Sequence, residues 1–371
     1  MLPNSMLPSG THRLERMAVS AQPTPPQYAT REGDAITDRE AVLAVWHGNL
    51  GRDARMAAKY EWFYRRAPAG APLLQLLMHA DTVVPVGVCS AGRRRMLLDG
   101  HETRAGVMVD LAVTPEHRSL GPALILQQGL FAAGRRELDV LYCFPNPKAA
   151  PVFKRIGYRH LADMVRYARV LRHAEYVHRR WPALPTWLAS PLGVLVDLSH
   201  RVHDAWRWRT GCSLRAQWFD RVPDIAPIWD RSPKPSALTA LRDAAHLRWR
   251  FDDAPVVDGL LPFRHLLLSD GETPVAWFAT RLDGHTLHVH DFWSNDGAQI
   301  APDVIAALLR AVRKAGHAAI SIELATSTER LQPWLDAGFS ARSKRPVFGH
   351  WGARQEDATP SLHLVSADED E

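Results

Sequence analysis

Cysteine is scarce in this chain. Cys89, Cys143 and Cys212 are its only thiols in 371 residues. They form neither a disulfide framework nor a metal-ligand spacing, and so point to a reducing, cytoplasmic setting. Long apolar runs are missing as well; no uninterrupted stretch of about 18 apolar residues is present, which excludes an ordinary membrane-spanning helix. The N-terminal segment has no continuous apolar core with a cleavage site, so no signal peptide is expected. No histidines stand in the HExxH spacing or any repeated metal pattern, and no serine sits in a glycine elbow, which leaves zinc and serine-hydrolase chemistry without a motif. A large charge of one sign is also lacking. The 45 basic and 40 acidic residues give a net +5, too small an excess to imply DNA, though it favours anionic ligands.

What the sequence does contain is repetition. In KYEWFYRRAP, Trp62 stands six residues before Pro68; in HLRWRFDDAP, Trp249 stands six before Pro255. Each segment leads into extended apolar stretches in which Asp81, Pro85 and Gly87 match Asp270, Pro274 and Ala276 in spacing. Further on, VMVDLAV corresponds to LHVHDFW, which sets Asp110 against Asp291. An amphipathic helix follows each; in the second, Ile300, Val304, Leu308 and Val312 share one face with Ile305 and Leu309 beside them. The β-branched segments LDVLYCF and AAISIEL then read as buried strands, and Asn146 to Gly157 spans the same interval as Ser327 to Gly338.

The order and spacing predict a duplicated α/β unit with a mixed sheet. The expected divisions are a disordered N-terminal tail over 1–35, with disorder to about Arg31, a first domain over 36–170, a Trp/Pro/Arg-rich linker with a helix over 171–235, a second domain over 236–353, and a loose acidic tail over 354–371. Thr37 and Glu40 fit a capping box for an opening helix whose inner face holds Ala41, Val42, Val45 and Trp46. Within 184–209, apolar residues and arginines alternate in a way that suits either docking between the domains or peripheral contact with an anionic membrane.

The stretch VMVDLAVTPEHRSLGPALILQQGL, residues 107–130, reads as a strand, a turn and a helix. A helix starting near Leu120 would leave main-chain N–H groups of Ser119, Leu120, Gly121 and Ala123 open to an anion. Gly121 would allow close approach, Arg118 would add charge, and Pro122 would preset the first helical turn. An ordinary connection with an exposed arginine fits the turn equally well when it is taken by itself.

The segment LAVTPEHRSLGPA resembles the acyl-CoA signature of the GNAT superfamily of N-acyltransferases, an arginine or glutamine, two residues, glycine, one residue, then glycine or alanine. Arg118, Gly121 and Ala123 stand at those positions, and Asn146, Gly157 and Tyr158 match a second element of the family. The resemblance covers about 36–170 and extends more weakly to 236–353. It implies two tandem GNAT-like domains, with acetyl-CoA or another acyl-CoA as co-substrate and no metal. By the same resemblance Leu111, Ala112 and Val113 would border the pantetheine arm, residues 118–123 would hold the pyrophosphate, and Asn146 would lie near the pantetheine. An amine would then attack the thioester directly, its oxyanion stabilised by a main-chain N–H of 111–113.

Both copies depart from the pattern. The second has DFWSNDGAQIAPDV at the turn, without a basic residue at the glycine spacing and with Asp296 and Asp303 to repel phosphate, so a degenerate copy without cofactor is expected. That copy could complete the acceptor cleft or stiffen the protein. In the first, Phe153 stands where many members carry a tyrosine that protonates the leaving thiolate. Tyr158 and Tyr142 are the substitutes, each also readable as an amphipathic core residue. Asp110 is the first candidate for general base, against a plain reading as a solvent-edge or salt-bridged aspartate. Glu102 and His101, in a nearby turn, are candidates for catalysis and acceptor contact; Asp291 and Glu323 are weaker acceptor contacts. The expected acceptor is a small-molecule or saccharide amine. The competing classes are an inactive tandem binding or scaffolding protein and an aminoacyl transferase that uses transfer RNA.

Overall fold

The computed structural model describes residues 27–51, 53–146, 149–172, 214–256, 259–352 and 361–369. The helical segment expected at 184–209 lies outside them. The first half of the chain runs β1 (Tyr28–Gly33), α1 (Arg39–Trp46), α2 (Asp53–Tyr60), a π-helical turn (Glu61–Arg65), β2 (Leu73–His79), β3 (Gly87–Leu98), β4 (His101–Val113), α3 (Leu120–Glu137), β5 (Val140–Cys143), α4 (Ala150–Ile156) and β6 (Arg159–Val170). The second runs β7 (Arg215–Phe219), α5 (Ala226–Arg231), β8 (Thr239–Ala240), α6 (Ala244–Leu247), a π-helical turn (Arg248–Asp252), β9 (Arg264–Asp270), β10 (Thr273–Asp283), β11 (Thr286–Ser294), α7 (Pro302–Lys314), β12 (Ala319–Ala325), α8 (Thr328–Asp336), β13 (Ser340–Trp351) and β14 (Leu364–Val365).

One 14-stranded sheet runs through both halves in the order β1-β2-β3-β4-β5-β13-β6-β12-β11-β10-β9-β7, with β14 on β12 and β8 on β3. Read inward from either end, the order is equivalent. The closing strands are exchanged at the centre: β13 from the second half pairs with β5 of the first, and β6 of the first pairs with β12 of the second. The two closing strands also pair with each other, antiparallel, from Ser340↔Ala168 to Gly349↔Arg159.

The periodicities read from the sequence correspond to buried faces. In α7, Val304, Ile305, Leu308, Leu309 and Val312 are all buried. In α3, Leu126, Leu130 and Ala133 face the sheet, and Gly134 lets Leu141 approach, since a Cβ there would come within 2.3 Å of its side chain. Trp62 and Trp249, matched by the repeat, meet at the seam. Their rings stack at 4.8 Å, and each indole donates to the other's carbonyl, Trp62 Nε1 to Trp249 O at 2.7 Å and Trp249 Nε1 to Trp62 O at 2.9 Å. These reciprocal bonds satisfy two buried donors that would otherwise each cost about 1–3 kcal/mol.

Four sequence expectations change. Residues 28–33 form an edge strand, not part of a disordered tail, because Tyr28 hydrogen-bonds His117 Nδ1 at 2.9 Å and Thr30 fits against Gly129 of α3. The turn before α1 is tied by Asp34, whose Oδ1 accepts from the Ile36 and Thr37 N–H groups at 2.8 Å, while Asp38 at the N-cap makes no side-chain cap bond. Residues 361–369 are not loose: Leu362, His363, Leu364, Val365, Ala367 and Asp368 are buried. The apolar residues in that stretch outweighed its acidic composition. The span assigned to the linker also contains β7 and α5, which belong to the sheet and its cover.

Candidate functional site

β4 and β5 pair in parallel only from Ala105↔Val140 to Val107↔Tyr142, although β4 continues to Val113. The divergence has a local cause. Against β3, the register passes from Ser90↔Val109 to Val88↔Ala112, so Asp110 and Leu111 together oppose Cys89. Such a bulge bends the strand and sharpens its twist. Asp110 lies at φ 54°, left-handed backbone that glycine adopts more cheaply than aspartate.

Past β4, a single 3-10 turn at Pro115–His117 leads to Ser119, the extended N-cap of α3. The structure trims the set of open N–H groups. Ser119 donates to His117 O at 2.9 Å, and a helix starting at Leu120 uses the Ala123 N–H in its own first bond to Ser119 O. Pro122 has no N–H, so Leu120 and Gly121 are the two main-chain donors at this helix start, and no side chain caps it. Arg118 folds back along the turn, with Nε 3.4 Å from Val113 O and Nη2 bonded to Asn49 Oδ1. Gly129 and Gly134 of α3 are each required by a close neighbour, but a Cβ on Gly121 would meet no atom of the described residues within 4 Å, and its φ is not positive. Neither packing among the described residues nor backbone conformation therefore accounts for glycine at 121. Asn146, just past β5, accepts the Ala149 N–H on Oδ1 at 3.0 Å in the turn that leads into α4.

A cavity of about 480 Å³ opens beside the bulge, between the halves. Asp110 and Leu111 form part of its wall. Arg55, Met56 and Lys59 line it from one face of α2, at i, i+1 and i+4, and Trp46 and Trp62 lie beside them. The second half supplies Arg250, the 254–256 segment, Leu260, Phe263 and Arg281. The Asp110 carboxylate is 6% exposed and receives Lys59 Nζ at 2.7 Å on Oδ1. Tyr64 OH lies 3.0 Å from Oδ2 and 2.7 Å from Ser90 Oγ. A carboxylate only accepts, so Tyr64 donates to Asp110 and takes the Ser90 hydroxyl proton in turn. Burial, with the Asp110 charge adding to it, holds the Tyr64 phenol well above its ordinary range.

The other predicted residues do not join this cluster. Glu102 is gripped by Arg95 at 2.6 and 3.0 Å, which holds its carboxyl below the usual range, and exposed His101 begins the same strand. At about 3.3 Å per residue, the eight residues from Glu102 to Asp110 span roughly 26 Å. Tyr158 lies on the α3 side of the sheet. Its hydroxyl meets Met108 Sδ at 2.6 Å, and burial raises its pKa far out of reach of neutral pH. Tyr142 is buried too, donating to Asp368 O at 2.9 Å. Phe153 is a core residue beside Tyr158. Asp291 is a buried structural anion clamped by Arg242, with Nη2 to Oδ1 at 2.7 Å and Nε to Oδ1 at 3.0 Å. Glu323 pairs with Arg345 at 2.5 Å, as does Glu369 at 2.7 Å.

Lys59 and Tyr64 were missed. The signal available was the repeat: Lys59 stands three residues before Trp62 where His246 precedes Trp249, and Tyr64 stands where the second copy has Phe251. The cluster around Asp110 is built where the copies differ, lysine against histidine and tyrosine against phenylalanine.

In the second half, β11 and β12 likewise part after Val289 and Ile322, again at a bulge, opposite Ala279 and Thr280. That gap is filled. β14 pairs with the end of β12, Leu324↔Val365 and Ala325↔Leu364, and Ser366 Oγ lies 3.2 Å from His290 Nδ1 on β11. The His363 ring packs against Phe292, and Val365 N–H donates to Asp368 Oδ2 at 2.7 Å. Among the described residues no group of acidic, histidine or cysteine side chains could hold a metal, and no helix is long and apolar enough to cross a membrane.

No protein-family model and no curated protein sequence matches the chain. Solved structures match it by shape. A conserved protein of unknown function from Enterococcus faecalis, a probable N-acyltransferase, superposes with TM-score 0.59 at 10% identity, over 88% of this chain and 73% of that one. A GCN5-related N-acetyltransferase from Anabaena variabilis gives 0.57 at 9% identity, over 87% and 72%. Another from Kribbella flavida gives 0.55 at 12%, over 87% and 71%. At such identities the likeness is one of architecture, and the mixed α/β architecture is GNAT-like.

Proposed function

We propose that this GNAT-like chain is an acyl-CoA-dependent N-acyltransferase built from two copies of one unit, the first active and the second degenerate, and that acetyl-CoA is the acyl donor. The observation that carries the reading is Gly121. It sits at an uncapped helix start beside two parting strands, and nothing among the described residues demands glycine there. A diphosphate against the Leu120 and Gly121 N–H groups would supply the reason, because a helix start favours anions and a side chain at 121 would obstruct one. The pantetheine arm would then follow the gap between β4 and β5, bordered by Leu111, Ala112 and Val113 on one side and Asn146 on the other.

The thioester would reach the bulge, next to the cavity that both halves build. An acceptor amine there attacks the carbonyl carbon, a main-chain N–H of the bulged segment stabilises the developing oxyanion, and coenzyme A leaves as the thiolate. Asp110, held in place by Lys59 and Tyr64, faces the entering nitrogen and takes its proton. An aspartate kept at positive φ, where glycine would be cheaper, supports a role for the side chain itself.

Calorimetric titration with acetyl-CoA, repeated with longer acyl-CoAs, tests the donor. Saturable binding in the wild type that is lost in Gly121→Asp, at an unchanged thermal midpoint, is the expected outcome. An amine-library screen for coenzyme A thiol release then tests turnover. One observation favours a second reading, an inactive binding protein: Tyr158 and Tyr142, the substitutes for the missing acid at Phe153, both have their hydroxyls buried in other contacts. Binding of acetyl-CoA without thiol release for any amine would favour it.

A further inference from the structure

We infer that Asn49, just past α1, is a positioning residue for the donor: it fixes the Arg118 guanidinium beside the start of α3 without neutralising it, and so readies the arginine for a diphosphate. The inference rests on the acyl-transfer reading for the ligand at that helix start, and on the contacts of two side chains for the rest.

An arginine on a surface turn has much rotamer freedom, and one that is not held must give it up when a ligand arrives. Arg118 is exposed, yet it is held. Its Nε lies 3.4 Å from Val113 O, and its Nη2 donates to Asn49 Oδ1. Among the described residues these are its hydrogen-bond acceptors, and both are neutral. A guanidinium carries five N–H groups in a rigid fork. With one spent at Nε and one at Nη2, both hydrogens of Nη1 and the second of Nη2 remain for other oxygens. Arg118 stands two residues before Leu120, whose N–H opens the helix start together with that of Gly121.

Asn49 is itself anchored. Gly48, at φ 67°, ends α1 in left-handed backbone, and the Asn49 N–H then donates to Trp46 O at 2.8 Å. Its Nδ2 donates to Val45 O at 2.6 Å. The amide nitrogen is thereby turned to the helix end, which leaves Oδ1 as the atom that faces Arg118; a reversed amide would set donor against donor. The choice of an amide has a physical reason. A carboxylate at 49 would grip the guanidinium harder but cancel the charge that a phosphate needs. An alanine would keep the charge and lose the aim. The same anchor touches the acceptor side, because Trp46 and Leu50 line the cavity.

Calorimetric titration with acetyl-CoA, and separately with inorganic pyrophosphate, tests this on the wild type, Asn49→Ala, Asn49→Asp and Arg118→Gln. Asn49→Ala should weaken acetyl-CoA binding about three- to tenfold. Asn49→Asp should weaken it further, and Arg118→Gln by about tenfold or more. Because Asn49 acts through Arg118, adding Asn49→Ala to Arg118→Gln should change affinity by less than about twofold. A general disturbance of the turn would instead multiply the two losses. Wild-type affinity in Asn49→Ala, equal binding by Asn49→Asp and Asn49→Ala, or full additivity with Arg118→Gln would overturn the inference while acyl transfer stands. The same ranking with pyrophosphate, without any binding of acetyl-CoA, would do the reverse. Binding of neither probe by the wild type would remove both.

Discussion

Between β4 and β5 the pairing stops at Val107 and Tyr142; between β11 and β12 it stops at Val289 and Ile322. The same bend, made by a bulge in the same strand of each half, opens both gaps. In the second half the C-terminal segment closes the gap with backbone pairing and buried side chains. In the first, the strands lead to a helix start with two open donors and to a cavity. Their acidic residues differ in the same way: Asp291 is locked to buried Arg242, whereas Asp110 stands in a cavity wall with Lys59 and Tyr64. One scaffold thus carries a gap that leads to a cavity and a gap filled by the chain's own C-terminal segment, and the side chains decide which.

The largest expected effect comes from unplugging the second gap. A chain ending at residue 360 loses the burial of Leu362, Leu364 and Val365, about 5–9 kcal/mol at about 1.5–3 kcal/mol for each buried side chain. Urea titration measures the loss, and calorimetry should still find one acetyl-CoA per chain. A second site would break the comparison, because the tail alone would then separate the halves. Asp291→Ala comes next. It leaves Arg242 buried without its carboxylate and should cost about 3–5 kcal/mol in the same titration, with thiol release per folded molecule unchanged. Asp110→Asn should lower thiol release about 100-fold with little loss of stability. Asp110→Gly sharpens the point: glycine relaxes the positive φ, so the protein should stay folded and inactive.

The smallest effect lies in pH. Burial raises the Asp368 carboxyl from its ordinary value to about 6, so the folded protein favours the protonated form. Its contribution is fully present below about pH 4 and is lost as pH rises through about 6, a decline of about 2–3 kcal/mol. Asp368→Asn should remove that decline. The measure is the difference between variant and wild-type stability at pH 4.5 and 7.5, which cancels the opposing demand of buried neutral histidines such as His265, whose pKa burial lowers to about 4.

Much of the architecture was legible because it rests on spacing. The Trp–Pro interval, the apolar face of α7 and the β-branched segments each report a local period that burial enforces. The exchange of β6 and β13 left no such trace, since an apolar strand satisfies the same pattern beside either neighbour. Composition misled at the tail, where three apolar residues decide the fate of an acidic stretch. At the site, the turn at 115–123 was readable because main-chain geometry makes it, although only Leu120 and Gly121 keep open donors. Lys59 and Tyr64 were not, because their partnership with Asp110 is a contact across 46 to 51 residues of chain. Glu102 drew attention by its charge alone and turned out to answer Arg95.

The exchanged closing strands bear on what a fragment of this protein could be. Val140, Leu141, Tyr142 and Cys143 are all buried in the whole chain, with β13 along their open side. A first half made alone would present that flank to water as an unfinished ribbon. It would have either to draw its own β6 back across or to recruit a sister molecule to stand in for the absent partner. Dimerisation of the isolated piece, and its reversal when the other piece is added, would be the natural behaviour of a molecule whose halves each lend out their final element.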